Sequence, residues 1–207
     1  MWSTFLIAMP AVLFIVDPIG VVPLFVAMTA SDPVEKCRAM AARACLTATG
    51  VLIFFALFGT LVFKIFGVTL AAFRVAGGFL LMLTALDMLR AQHPATKTSP
   101  EEAREGVERE DIAIVPLAMP LLAGPGAIAT VMVLMAEYGS DWANAAIVVG
   151  CIGATFAITY LLLRSANLVK RVLRQTGIAV LERVFGLILA AIAVQFVFEG
   201  GKALLRG

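Results

Sequence analysis

Asp17-Pro18-Ile19-Gly20 and Gly124-Pro125-Gly126 are the two places where residue type and spacing could hold a ligand, and both interrupt long apolar stretches. A proline has no amide proton, so it frees the carbonyl four residues earlier. Pro18 thereby frees Phe14, Pro120 frees Pro116, and Pro125 frees Leu121. A helix that restarts after such a break presents unpaired N–H groups and about half a positive charge, which suits a carboxylate. The freed carbonyls suit an ammonium group or a cation. A small zwitterion supplies both partners at once. Asp before Pro is also a favourable N-cap and N1 pair, so a half-helix is expected to start at Pro18. Asp17 therefore has two readings, a helix cap or a direct contact to ion or substrate.

The elements that must hold these breaks are membrane helices. Of the 207 residues, 61% are hydrophobic and 14% charged, against roughly 45–50% and 25% in a soluble domain. A span needs about 20 apolar residues. Six stretches qualify: 4–30, 39–63, 68–89, 112–136, 143–163 and 178–199. The fold expected is an all-α polytopic membrane protein with segments 1 and 4 broken. At about 1.5 Å per residue, Asp17 and Gly124 each lie roughly 18–20 Å along their segments, near the middle of a core about 30 Å thick. In hydrocarbon, an unpaired carbonyl costs several kcal/mol, so a broken helix is expected only where it lines a cavity or packs in protein. Proline and glycine are also common in membrane helices merely as kinks. Two breaks in corresponding segments, one with a buried acid, favour a binding site.

Other classes of function find little support in the composition. The net charge of +2 comes with no basic stripe, so no nucleic-acid partner is expected. Cys37, Cys45 and Cys151 are too few and too scattered for a disulfide framework or a metal site, and no cofactor is expected. His93, the single histidine, has no second ligand nearby in sequence. An enzyme is not expected, since neither Asp17 nor Asp87 sits in a Gly-x-Gly-Asp context and no Gly-x-Ser-Gly site is present. The N-terminus lacks a basic region before its apolar run, so the first segment is expected to remain in the mature protein.

Charge sets the expected orientation. The loops after segments 1, 3 and 5, with adjoining helix ends, carry all of the 16 Lys and Arg residues except Lys64, Arg74, Lys202 and Arg206. The positive-inside rule then places those loops, including 91–111, in the cytoplasm and both termini outside, in a cell inner (plasma) membrane. A cysteine introduced near residue 206 should label in intact cells, and one at residue 97 should not; the reverse pattern would overturn this topology.

Residues 1–90 and 112–207 read as two three-helix halves, joined by the linker 91–111. Arg74-Val75-Ala76-Gly77 matches Arg183-Val184-Phe185-Gly186, Gly50 matches Gly150, and segments 1 and 4 share the break. With three spans per half, the second must be upside down, which makes a 3+3 inverted repeat. Ser99-Pro100-Glu101-Glu102 reads as a capped helix start inside the linker. Arg74 and Arg183 read as snorkelling structural residues, Asp87 as an ion-pair partner of Arg90, and Gln195 as a helix–helix hydrogen bond. Gly77, Gly78 and Gly186 read as sites of close helix approach.

The Asp17-Pro-Ile-Gly-Val-Val-Pro23 motif and the longer Pro116-Leu-Ala-Met-Pro-Leu-Leu-Ala-Gly-Pro-Gly-Ala-Ile128 motif resemble signatures of the MarC family, whose relatives include small neutral amino-acid transporters. The likeness extends over nearly the whole chain. It implies transport of glycine, alanine and similar amino acids, coupled to Na+ or H+, through an inverted-repeat bundle. Carried over position by position, it implies substrate-site roles for Asp17, Pro18, Gly20, Pro120, Gly124, Pro125 and Gly126; that family takes Asn or Asp at the position of Asp17. Asp17 and Thr130 are the candidates for a coupling ion. A non-transporting structural or accessory membrane protein, and an exporter or channel for another small solute, stay open as alternatives.

Overall fold

The computed structural model describes residues 2–30, 32–90 and 111–206. The expected linker helix at Ser99, and His93, lie outside the described residues. Everything regular among the described residues is helical: α1 (Trp2–Val16), α2 (Pro18–Met28), α3 (Val34–Phe66), α4 (Leu70–Leu89), α5 (Ala113–Leu122), α6 (Pro125–Tyr138), α7 (Trp142–Arg164) and α8 (Ala166–Arg206). Five helical stretches are long and apolar enough to cross a membrane, and α5 with α6, bent by 57° at their junction, makes up to six. Large apolar side chains such as Phe54, Leu61, Phe66, Leu187 and Phe198 point outward, as expected where the surrounding solvent is hydrocarbon.

Local chemistry accounts for the element ends. Thr69 caps α4 by accepting from Ala72 N at 3.1 Å. Asp141 caps α7, and Gly67 closes α3 in the left-handed region at φ 64°. α3 begins five residues before the expected span and α8 begins twelve before it. Both extensions are polar turns continuing past the apolar stretch, and α8 departs from helical geometry at Arg174.

α5 differs from the half-helix expected before Gly124. Its turns are wide, with Leu117 N bonded to Ile112 O at 3.1 Å and Ala123 N to Ala118 O at 2.9 Å. Val115 and Met119 are extended. Each precedes a proline, Pro116 or Pro120, and proline both removes a helical donor and pushes the preceding residue out of the helical region. At its start α5 is tied to α3: Asp111 accepts from Ala113 N at 3.0 Å and pairs with Arg43 at 2.7 Å.

The bundle is assembled by antiparallel packing of α4 on α8 and by contact of α3 with α7, α1 with α7, α5 with α3, α2 with α8 and α6 with α4. On α4, Ala71, Gly78 and Ala85 repeat every seven residues; on α8, Gly186, Ala193 and Gly200 do the same. A Cβ on Gly78 would lie 2.9 Å from Ala193 O, on Gly186 3.0 Å from Ala85 O, and on Gly200 2.7 Å from Ala71 O. Backbone therefore rests on backbone along the seam, as small residues allow between membrane helices. The close-approach reading holds for Gly78 and Gly186. It holds for Gly77 against α6, where a Cβ would lie 3.3 Å from Ala129 Cβ.

Candidate functional site at the two helix breaks

The first break is a single residue. Asp17 has φ 53° and ψ 64°, a left-handed conformation that Asp and Asn adopt more readily than other non-glycine residues. Its own N–H closes α1 on Leu13 O at 3.0 Å, and its carbonyl receives Val21 N at 3.3 Å to open α2. The carboxylate accepts from Gly20 N at 3.1 Å, so Asp17 is the N-cap that the Asp-Pro pair predicts. Both Asp17, at 3% exposure, and Pro18 are buried. Gly20 has a specific reason to lack a side chain: a Cβ there would collide with Asp17 Oδ2 and lie 2.8 Å from its Cγ. Gly20 makes room for the capping carboxylate.

The second break is built differently. Gly124 is the N-cap of α6 with Pro125 at N1, and no side chain caps this end among the described residues. Ile128 N returns to Gly124 O at 3.0 Å. The amides of Gly126 and Ala127 are first-turn donors with no carbonyl of their own helix to bond. The Thr130 hydroxyl donates to Gly126 O at 2.8 Å, one turn along the same helix.

The fold brings these breaks into contact. A Cβ on Gly126 would lie 3.0 Å from Ile15 Cδ1 of α1 and 4.0 Å from Thr84 Oγ1 of α4. Asp17, Pro18 and Gly20 thus stand at one side of the junction, and Gly124, Pro125 and Gly126 at the other. Pro120 and Pro125 also line a cavity of about 420 Å³, with Phe55, Phe73, Leu80, Met119 and Met132 among its apolar walls. The residue types around this junction match one sequence family along its whole length: the pattern of MarC family integral membrane proteins matches residues 2–205. The chain belongs to the MarC family. It is 42% identical over 201 residues to a UPF0056 membrane protein of Methanocaldococcus jannaschii, covering 97% of each chain. It is 36% identical to one of Aquifex aeolicus, covering 98% of this chain and 94% of the other, and 35% identical to one of Bacillus subtilis, covering 91% and 89%. No solved structure matches it.

Away from the junction, this MarC protein carries a charged cluster that sequence reading missed. Arg74 of α4 pairs with Glu137 of α6, and its Nη1 lies 3.6 Å from Glu199 Oε2 of α8. The Arg74 side chain is only 14% exposed, so it is held by two carboxylates and does not snorkel alone. Gln195 donates to Glu199 Oε1 at 2.9 Å, one turn along its own helix, in place of the expected contact between helices. The signal was present in the sequence: Arg74, Glu137 and Glu199 lie near span ends on one predicted side of the membrane. The side chains of Ile15 and Thr84, which touch the junction, carried no such signal.

Proposed function

We propose that the protein is a secondary transporter of small neutral amino acids of the glycine and alanine type, coupled to Na+ or H+ and located in the cell inner membrane. The observation that carries this reading is the contact of Gly126 with Ile15, which puts two broken helices at one place. Between them they offer both poles a zwitterion needs. The α6 N-terminus has uncapped amides for a carboxylate. The Asp17 carboxylate and the Phe14 carbonyl, whose helical partner would be the nitrogen of Pro18, suit an ammonium group or a cation. Substrate then exchanges between the two membrane faces as the halves rock about this junction. An inverted 3+3 arrangement is supported by contacts that come in related pairs: α1 on α7 with α5 on α3, and α2 on α8 with α6 on α4. The protein works by binding and conformational exchange, with no covalent chemistry and no cofactor.

The test is uptake of labelled glycine or alanine into liposomes by purified wild type, Asp17→Asn and Asp17→Ala, under imposed Na+ or pH gradients. Asn keeps an oxygen that caps and tolerates the left-handed conformation, whereas Ala does neither. Losing the cap costs about 0.5–2 kcal/mol, and left-handed geometry about 1–2 kcal/mol more. Gradient-driven uptake should survive in the Asn variant if Asp17 acts as a cap, and lose its coupling if the carboxylate holds the ion or proton. The Ala variant should be inactive either way. Wild type that takes up neither amino acid in any gradient would sink the transport reading, and normal uptake by Asp17→Ala would remove the site from this break.

A further inference from the structure

We infer that Thr155 of α7 completes the cation-binding side of the Asp17 break, so that a small monovalent cationic group sits between α1, α2 and α7. The inference rests on the transport reading for its purpose and adds to that reading a third helix and a new ligand residue. Thr155 is fully buried, at 0% exposure, and its hydroxyl has no hydrogen-bond partner among the described residues. Membrane threonines ordinarily bond back to their own helix, as Thr159 does to Thr155 O at 2.8 Å and Thr130 to Gly126 O. An orphan hydroxyl in an apolar interior carries a desolvation cost, which a ligand bound there would offset.

Two fixed points place Thr155 at the depth of Asp17. At one end of the bundle, Thr4 of α1 donates to Asn144 of α7 at 2.9 Å. Asp17 lies thirteen residues beyond Thr4 and Thr155 eleven beyond Asn144, so at about 1.5 Å per residue their depths agree within roughly 3 Å. At the other end, Phe25 and Thr29 share a cavity wall with Leu163 and Ala166. Phe25 and Leu163 each lie eight residues past Asp17 and Thr155, which gives the same register. On α7 the direction follows from the same spacing. Eleven residues make three turns and about 20°, so Thr155 projects from the face of α7 that carries Asn144 toward α1. α7 packs on both α1 and α2, the two sides of the break. The oxygens brought to this one depth are those of the Asp17 carboxylate, the Thr155 hydroxyl and the Phe14 carbonyl, and in the proposed site they share the cation. All can accept, which selects Na+ or the α-ammonium of the substrate over an anion.

The experiment is thermal unfolding of the purified full-length protein in detergent, as wild type, Thr155→Val and Thr155→Ser. Each is titrated with NaCl against choline chloride at equal ionic strength, and with glycine in choline medium. Wild type should be stabilised by one of these ligands, Na+ marking a coupling ion and glycine marking the ammonium. Thr155→Val should weaken that ligand about tenfold, through the loss of one coordinating oxygen for Na+ or of one charge-assisted hydrogen bond for the ammonium, and Thr155→Ser should restore most of it. Without ligand, the Val variant should unfold at the wild-type temperature or above, because it keeps the shape and removes the orphan hydroxyl. A Val variant that binds as wild type does, a ligand-free Val variant that unfolds early, or a wild type stabilised by neither ligand overturns the inference. Stabilisation by Na+ in a protein whose liposomes show no amino-acid uptake would leave this site standing and remove the transport reading.

Discussion

Gly20→Ala should lower the stability of the protein by about 2–4 kcal/mol, combining a lost cap with local overpacking, and should abolish uptake with it. The added methyl group falls on the Asp17 carboxylate, 2.8 Å from its Cγ. The carboxylate must then leave Gly20 N, and it has a buried environment to move through. A general dislike of alanine in a helix cannot explain such a loss, since Gly→Ala in a helix interior ordinarily gains about 0.5–1 kcal/mol. The cause can be isolated in an Asp17→Gly background. Glycine accepts φ 53° freely and has no carboxylate to displace, so adding Gly20→Ala there should cost little. The difference between the two backgrounds should be about 2–4 kcal/mol, the lost cap and the overpacking together. Thermal or denaturant unfolding of the four proteins in detergent reads it. Equal costs in both backgrounds would mean that Gly20 is small for some reason other than Asp17.

Gly78→Ala and Gly186→Ala should each destabilise the bundle by about 1–3 kcal/mol, and leucine at either position should prevent α8 from seating on α4. At both sites the nearest atoms include backbone: Ala193 O at 2.9 Å and Val197 N at 3.0 Å for Gly78, Ala85 O at 3.0 Å and Leu89 N at 3.1 Å for Gly186. A side chain can rotate away from a methyl group, but a helix backbone has to shift as a unit. Gly150 and Gly153 on α7 are the controls, since a Cβ at either would meet nothing within 4 Å among the described residues. Alanine at those two should be neutral or slightly stabilising. Paired unfolding measurements on the four variants decide it. If Gly78→Ala and Gly186→Ala behave like the α7 controls, the seam is looser than backbone contact.

Sequence alone determined what depends on a residue and its neighbours within one helical turn. Apolar composition required membrane helices; proline chemistry required breaks at Asp17 and Gly124; and Asp17 before Pro18 required a cap, which the hydrogen bond from Gly20 N satisfies. Each follows from a missing amide proton or a local donor–acceptor match, so no tertiary information is needed. Only the tertiary structure decided which helix faces meet. Apolar side chains on membrane helices are nearly interchangeable at every face, and hydropathy alone cannot say that Gly126 lies against Ile15 or that Asn144 meets Thr4. The seven-residue spacing of Ala71, Gly78 and Ala85 against Gly186, Ala193 and Gly200 is visible in the sequence, yet its pairing across α4 and α8 is not. The wide turns of α5 were hidden for a related reason. Prolines forbid regular helix, but which irregular path replaces it is set by what α3 and the Arg43–Asp111 pair hold in place. Arg74 shows the same division: its position near a span end was legible, while its capture by Glu137 and Glu199 required three helices to converge.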